Sequence, residues 1–134
     1  FTPWTSIDDF LDLLDFVRRN DLINNIDPVQ FSLRLLIPPN SVFYKSYSQA
    51  SWMSNLDASN FTYIWHHPDL NMEILWSGIN DLVRESYKLD SSYYDTFIEI
   101  EKFAYELAGK DMSFSKFVTQ RRPIPAGLTD SWFC

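Results

Sequence analysis

The sequence predicts an α-rich protein of the α/β class, and three observations lead to this prediction. Apolar residues recur at three- and four-residue steps in three stretches, which is the spacing of amphipathic helices. One segment, Val29–Ile37, instead alternates in the manner of a β-strand and is followed by a double proline. Only 3 of the 134 residues are glycine, which disfavours a β-sandwich with many tight turns.

A first helix is predicted from Ser6 to Arg19. Thr5 or Ser6 can cap its N-terminus, and Asn20 is a suitable stop. Aspartates in the first turn and arginines in the last turn complement the helix dipole. Its buried stripe is expected to consist of Ile7, Phe10, Leu11, Leu14 and Val17.

The predicted strand Val29–Ile37 contains a charge among apolar residues. One face holds Val29, Phe31, Leu33, Leu35 and Ile37, and the other holds Gln30, Ser32, Arg34 and Leu36. Leucines surround Arg34, so we expect its guanidinium to be covered and to need a partner. The residues alone leave two alternatives open, an ion pair with a helix carboxylate and contact with a ligand.

The chain after the double proline is predicted to be mainly helical. His67 or Asp69 is expected to cap a helix that has Pro68 in its entry turn, and this interpretation is preferred to a metal site at His66-His67. The predicted order is a short helix within residues 41–53, a polar loop at 55–60, a helix with its stripe from Met72 to Val83, a helix from about Ser92 to Leu107, a short helix from Ser113 through Val118, and an irregular tail.

Composition excludes several classes of function. The formal net charge of −7 makes nucleic acid a poor partner, and no apolar stretch approaches the roughly 20 residues of a membrane helix. No glycine-rich phosphate loop is present. The single cysteine, Cys134, agrees with a reducing environment, so a cytoplasmic location is expected.

Four segments carry a family resemblance: FTPWTSIDDFLDLLDFV, DPVQFSLRLLIPPNS, YIWHHPD and LTDSWFC. Together they resemble the C-terminal part of radical S-adenosylmethionine enzymes, in the group whose chains end in a Cys-Cys-Ala-Glu-Pro or Cys-Sec-Ala-Glu-Pro tail. Such enzymes hold a four-iron–four-sulfur cluster on a CxxxCxxC loop and use it to cleave S-adenosylmethionine. This chain has no CxxxCxxC motif, so the resemblance implies a fragment that binds no cluster itself.

The resemblance also implies a fold and a site. Residues 1–40 would be a remnant of the closing edge of a partial (β/α) barrel, residues 41–120 a helical C-terminal extension, and residues 121–134 an irregular tail. Gln30, Ser32 and Arg34 would face the barrel lumen and contact cofactor or substrate, with Arg34 pairing with a carboxylate. Cys134 matches the first cysteine of the family's tail.

The expected function is therefore that of the C-terminal region of a radical S-adenosylmethionine enzyme, inactive in isolation. Its expected partners are the missing N-terminal barrel, a small-molecule or peptide substrate, and a second copy paired through an exposed strand edge. The alternative is a free-standing α-rich module that binds a peptide or a protein in an aromatic groove.

Overall fold

The computed structural model describes residues 1–112, which form four α-helices and one two-stranded antiparallel sheet. The coarse prediction of an α-rich chain that mixes helix and strand is confirmed. Cys134, the predicted helix from Ser113 and the predicted tail lie outside the described residues. The elements are α1 (Ile7–Arg19), α2 (Val42–Tyr47), β1 (Met53–Asp57), β2 (Thr62–Trp65), α3 (Leu70–Lys88) and α4 (Tyr93–Leu107), with two 3₁₀ helices at Ile23–Asn25 and Pro28–Ser32.

Helix α1 forms as the sequence predicts. The Ser6 side chain accepts a hydrogen bond from the Asp9 backbone N–H, and the Asp9 carboxylate accepts one from the Ser6 backbone N–H in return. This capping box satisfies donors that the first turn leaves free, and Asn20 ends the helix. Four of the five stripe residues are buried, and Ile7 is half-buried at the edge of the core.

The strand predicted over Val29–Ile37 is wrong. The Asp27 side chain accepts a hydrogen bond from the Val29 N–H, and Pro28 occupies the first helical position, so the chain turns into a 3₁₀ helix. The segment from Leu33 to Ile37 follows as irregular chain and is not assigned to the sheet. The alternating pattern of Val29–Ile37 therefore extends over two different structures, the 3₁₀ helix and the irregular segment that follows it.

The antiparallel hairpin replaces part of the predicted polar loop. Strand β1 includes residues 55–57, so the loop prediction is wrong at its start. The Asp57 carboxylate accepts hydrogen bonds from the backbone N–H groups of Ser59 and Asn60, which closes the turn. Phe61, the residue just before β2, has a φ of +54°, in the left-handed region. A short helix was one interpretation of residues 41–53, and α2 confirms it.

The core lies where α1 and the two 3₁₀ helices meet α3 and α4. Helices α3 and α4 are joined by residues 89–92 and pack side by side. Leu14, Leu75, Ile79, Ile100 and Ala104 are completely buried there. One core therefore contains residues from both sides of the boundary that was predicted after residue 40. In residues 1–112, no helix is both long enough and apolar enough to cross a membrane.

Candidate functional site

Arg34 lies between two tryptophan rings and is paired with a carboxylate. Its guanidinium carbon is 3.8 Å from the ring centroid of Trp65 and 4.5 Å from that of Trp76. Nη1 and Nη2 each donate to a different oxygen of Glu73, at 2.9 and 2.5 Å, and Nη2 also donates to the Trp65 carbonyl at 2.6 Å. A two-pronged pair stacked on aromatic faces is a geometry that arginine provides and lysine cannot. The covered charge therefore has a helix carboxylate as its partner.

Glu73 is held from two directions in the first turn of α3. Besides Arg34, the backbone N–H of His67 donates to Oε1. Partial burial favours the neutral acid, but the hydrogen bonds from Arg34 and from His67 outweigh it and keep the pKa of Glu73 below its usual value. The carboxylate is consequently ionised at neutral pH and compensates the guanidinium.

The entry to α3 fixes the position of Glu73. The Asp69 side chain accepts a hydrogen bond from the Asn71 N–H and caps the helix, as predicted for His67 or Asp69. The Asp69 backbone N–H in turn donates to Nδ1 of His67 at 2.9 Å.

In residues 1–112, no group of three or more metal-ligating side chains comes together.

Both tryptophans are oriented by the segment that contains Arg34. Nε1 of Trp65 donates to the Leu35 carbonyl at 2.8 Å, and Nε1 of Trp76 donates to the Ser32 carbonyl at 3.0 Å. Each indole is thus held at its N–H while its ring face lies over the guanidinium. No sequence signal predicts a role for Trp65 in a site, and the helical spacing from Met72 to Val83 predicts Trp76 as part of a core stripe.

The three predicted lumen residues do not line one surface. Arg34 borders a groove of about 570 Å³ together with Leu36, Tyr63, Ile64, Trp65 and Trp76 among others, and Gln30 and Ser32 are not part of its lining. Gln30 is exposed, and the Ser32 hydroxyl donates to the Val29 carbonyl of its own turn. The Ser32 carbonyl accepts a hydrogen bond from Trp76, whose ring lies against the Arg34 guanidinium.

A cluster of aromatic rings adjoins the groove at Trp65. Trp65 is in edge contact with Trp52 at 6.4 Å between centroids, and Trp52 contacts Trp4, Phe43 and Tyr47. Trp4, at the outside of this cluster, is 55% exposed. Exposed aromatic rings next to a groove are typical of surfaces that bind other molecules.

The backbone between Leu33 and Leu35 is bonded to the first residue. The Phe1 amino group donates to the Leu33 carbonyl at 2.6 Å, and the Leu35 N–H donates to the Phe1 carbonyl at 2.9 Å. Phe1 therefore bonds to the two residues on either side of Arg34. In parallel strands, a residue bonds in this way to the neighbours of the residue that lies opposite it. The chain passes through α1 between these two partners, as in a β–α–β unit.

In comparisons with known proteins, no family model matches the chain, and no curated protein and no solved structure is significantly similar to it.

Proposed function

We propose that this chain is the C-terminal part of a radical S-adenosylmethionine enzyme, in which it forms the closing edge of a partial barrel. The observation that supports the proposal is the parallel-type bonding of Phe1 to Leu33 and Leu35 across α1. Barrels of this kind are built from parallel strands joined by helices that cross back over the outside. The segment after the 3₁₀ helix would then be the late strand, shorter than the sequence predicted.

The chain does not itself provide ligands for an iron–sulfur cluster. Such clusters are held by several cysteine thiolates, and the chain has only Cys134. The cluster, which supplies the electron that cleaves S-adenosylmethionine, would be held by the rest of the enzyme. Iron–sulfur reconstitution of this chain alone should therefore yield no stoichiometric cluster by absorbance and iron analysis. A cysteine-ligated cluster on the isolated chain would contradict the assignment.

Within the enzyme, Arg34 would contribute to the cofactor or substrate pocket, whereas Gln30 and Ser32, the other two residues predicted for it, do not line the groove that Arg34 borders. Arg34 has the strongest support, because it borders the groove and is held rigidly by Glu73 and two indoles. Its role would be to fix a carboxylate of S-adenosylmethionine or of the substrate. To bind such a carboxylate, Arg34 must use N–H groups of its guanidinium that do not already donate to Glu73.

The coding sequence upstream of the Phe1 codon provides the decisive test. We expect the same open reading frame to contain a CxxxCxxC motif within a barrel-length stretch. A start codon directly before Phe1 with no such motif would overturn the proposal. If the motif is present, the pocket role of Arg34 is tested in the full-length enzyme.

The Arg34 test needs a control for lost stability. Arg34→Ala should weaken S-adenosylmethionine binding or slow 5′-deoxyadenosine formation in the full-length enzyme. Arg18→Ala is a matched control, because Arg18 forms a two-pronged pair with Glu101 and neither residue lines the groove. Equal effects of the two substitutions would show a structural role only, and unchanged binding and turnover in Arg34→Ala would reject the pocket assignment.

A free-standing module that binds a peptide or a partner protein is the second candidate. The exposed Trp4 and the aromatic cluster that adjoins the Arg34 groove at Trp65 favour it. An extended peptide with an apolar residue could lie along these rings. The same upstream coding sequence separates the two candidates.

A further inference from the structure

A second groove lies between α3 and α4, and its floor is an aromatic ring. The Phe103 ring packs against α3 at Gly78, where a Cβ atom would lie only 2.3 Å from Cε1 of Phe103. The absence of a side chain at Gly78 therefore lets the ring settle onto the helix backbone. Leu82, one turn further along α3, adds apolar surface to the same floor.

The rim of this groove is acidic. Asp81 and Glu85 line it from α3, and Glu99 and Glu106 line it from α4. Among the lining residues within 1–112, Lys102 is the single basic one, so four carboxylates and one ammonium give this part of the lining a formal charge of −3. The groove has a volume of about 690 Å³. An apolar floor distinguishes it from an ordinary solvated helix face, which would have charges alone.

The rim carboxylates are free to exchange their present partners. Within α3, Oδ1 of Asp81 lies 3.5 Å from Nη1 of Arg84, and Oε2 of Glu85 lies 3.2 Å from Nζ of Lys88. Glu106 is 3.9 Å from Lys102. All of these side chains are more than half exposed, and such surface pairs contribute little to stability because solvent screens their charges. A cationic partner could replace them at little cost.

We propose that the α3–α4 groove binds a basic amphipathic helix of a partner protein. Apolar residues of that helix would rest on Phe103 and Leu82, and its lysines or arginines would pair with the rim carboxylates. From Gly78 to Glu85 the groove spans seven steps along α3, about 10 Å, which matches two turns of a bound helix. Complementary charge and an apolar seat together favour this partner. The inference does not depend on the radical S-adenosylmethionine proposal.

A designed peptide can test the groove directly. The probe is a fluorescein-labelled peptide of leucine and lysine with helical periodicity, titrated with the full chain by fluorescence anisotropy. A scrambled peptide of the same composition has the same charge but no apolar stripe. We expect the periodic peptide to bind about tenfold tighter than the scrambled one, since an apolar anchor adds to the charge attraction.

Two charge-reversed variants separate the groove from the net charge. Glu99→Lys, in the rim, should weaken binding of the periodic peptide about fivefold or more, whereas Asp12→Lys, on the exposed face of α1, should weaken it less than twofold. Circular dichroism should show both variants folded. Equal weakening by both variants, or equal binding of the two peptides, would overturn the proposal. A change in the sedimentation of the chain alone on Glu99→Lys would also overturn it, because the groove would then be an interface between copies.

Discussion

Replacing Glu73 with glutamine should destabilise the fold, because Arg34 would remain covered without a compensating charge. The carboxylate now accepts from both terminal nitrogens of Arg34 and from the His67 N–H. A glutamine amide has one acceptor oxygen and would direct its NH₂ group at other donors. The substitution changes little in size, so the loss reports the charge and the hydrogen bonds.

The exposed fractions of the two side chains set the expected magnitude. Removing one partner of a fully buried pair costs about 3–5 kcal/mol, whereas exposed pairs are worth about 0–1 kcal/mol. The side chains of Arg34 and Glu73 are 16% and 21% exposed, so Glu73→Gln should lower the free energy of unfolding by about 2 kcal/mol. The double variant Arg34→Met, Glu73→Leu should lose less than the single one, because no unpaired charge remains.

Urea unfolding followed by tryptophan fluorescence measures this loss, since Trp65 and Trp76 lie on the guanidinium. The pKa of Glu73 is lowered on folding, so the ion pair contributes stability above the usual value of 4.5 and loses it as the pH falls through the folded pKa. The difference between wild type and Glu73→Gln should be full at pH 7 and shrink under acid. Glu85→Gln, in an exposed pair with Lys88, is the control. Equal losses in the two variants at pH 7 would refute the argument.

Three other perturbations have defined outcomes. Tyr87→Phe should lower the free energy of unfolding by about 1–2 kcal/mol, because buried Asp27 loses a hydroxyl donor. Burial and the bond to Asp27 raise the pKa of Tyr87, so wild type should lose stability above pH 10 in a way that Tyr87→Phe does not; matching alkaline profiles would contradict this. Phe61→Gly should raise the thermal midpoint, since φ of +54° favours glycine, and a lower midpoint would show that the exposed ring matters more. If the chain self-associates through the Leu33–Ile37 segment, Leu36→Pro should shift its sedimentation toward that of a monomer. A wild-type chain that is monomeric at high concentration would exclude this self-association.

The three long helices were predictable because their signals are local. The stripe of α1 and its Ser6 cap lie within one short window of sequence. The same holds for α3, which Asp69 caps, and for α4, after which Gly109 adopts a positive φ. Each boundary is marked by a residue whose side chain or backbone satisfies the helix end itself, so no tertiary information is needed.

The strand predicted over Val29–Ile37 is wrong and the hairpin was not predicted, for opposite reasons. Alternation over Val29–Ile37 resembled a strand, although Asp27-Pro28 is also a cap followed by a proline at the first helical position, and this local signal prevailed. The hairpin lacks the expected turn signal. Its left-handed residue is Phe61, where a glycine or asparagine would have marked the turn.

The kind of partner that Arg34 has was predictable, but its identity was not. An arginine among leucines needs a carboxylate, and a helix carboxylate was one of two alternatives. Glu73 lies 39 residues away and reaches Arg34 only because Asp69 begins α3 at that place. The tryptophan rings likewise come from β2 and α3, so the complete site depends on how these elements pack.

The structural role of Arg34 and the pocket role that we propose for it are compatible. A guanidinium has five N–H donors. In residues 1–112, three hydrogen bonds from Arg34 are present, two from Nη2 and one from Nη1, which leaves Nε–H and the second N–H of Nη1 for another acceptor. Glu73 and the two indoles hold the group still, so an acceptor that reached these donors would meet them already oriented. In the full-length enzyme that we propose, Arg34→Lys is therefore a sharper probe than Arg34→Ala, because lysine keeps the charge but cannot donate from two nitrogens as the guanidinium does. If Arg34 binds a carboxylate, the Arg34→Lys variant should bind S-adenosylmethionine or substrate more weakly, by more than its loss of stability explains. Unchanged affinity would show that Arg34 has a structural role only.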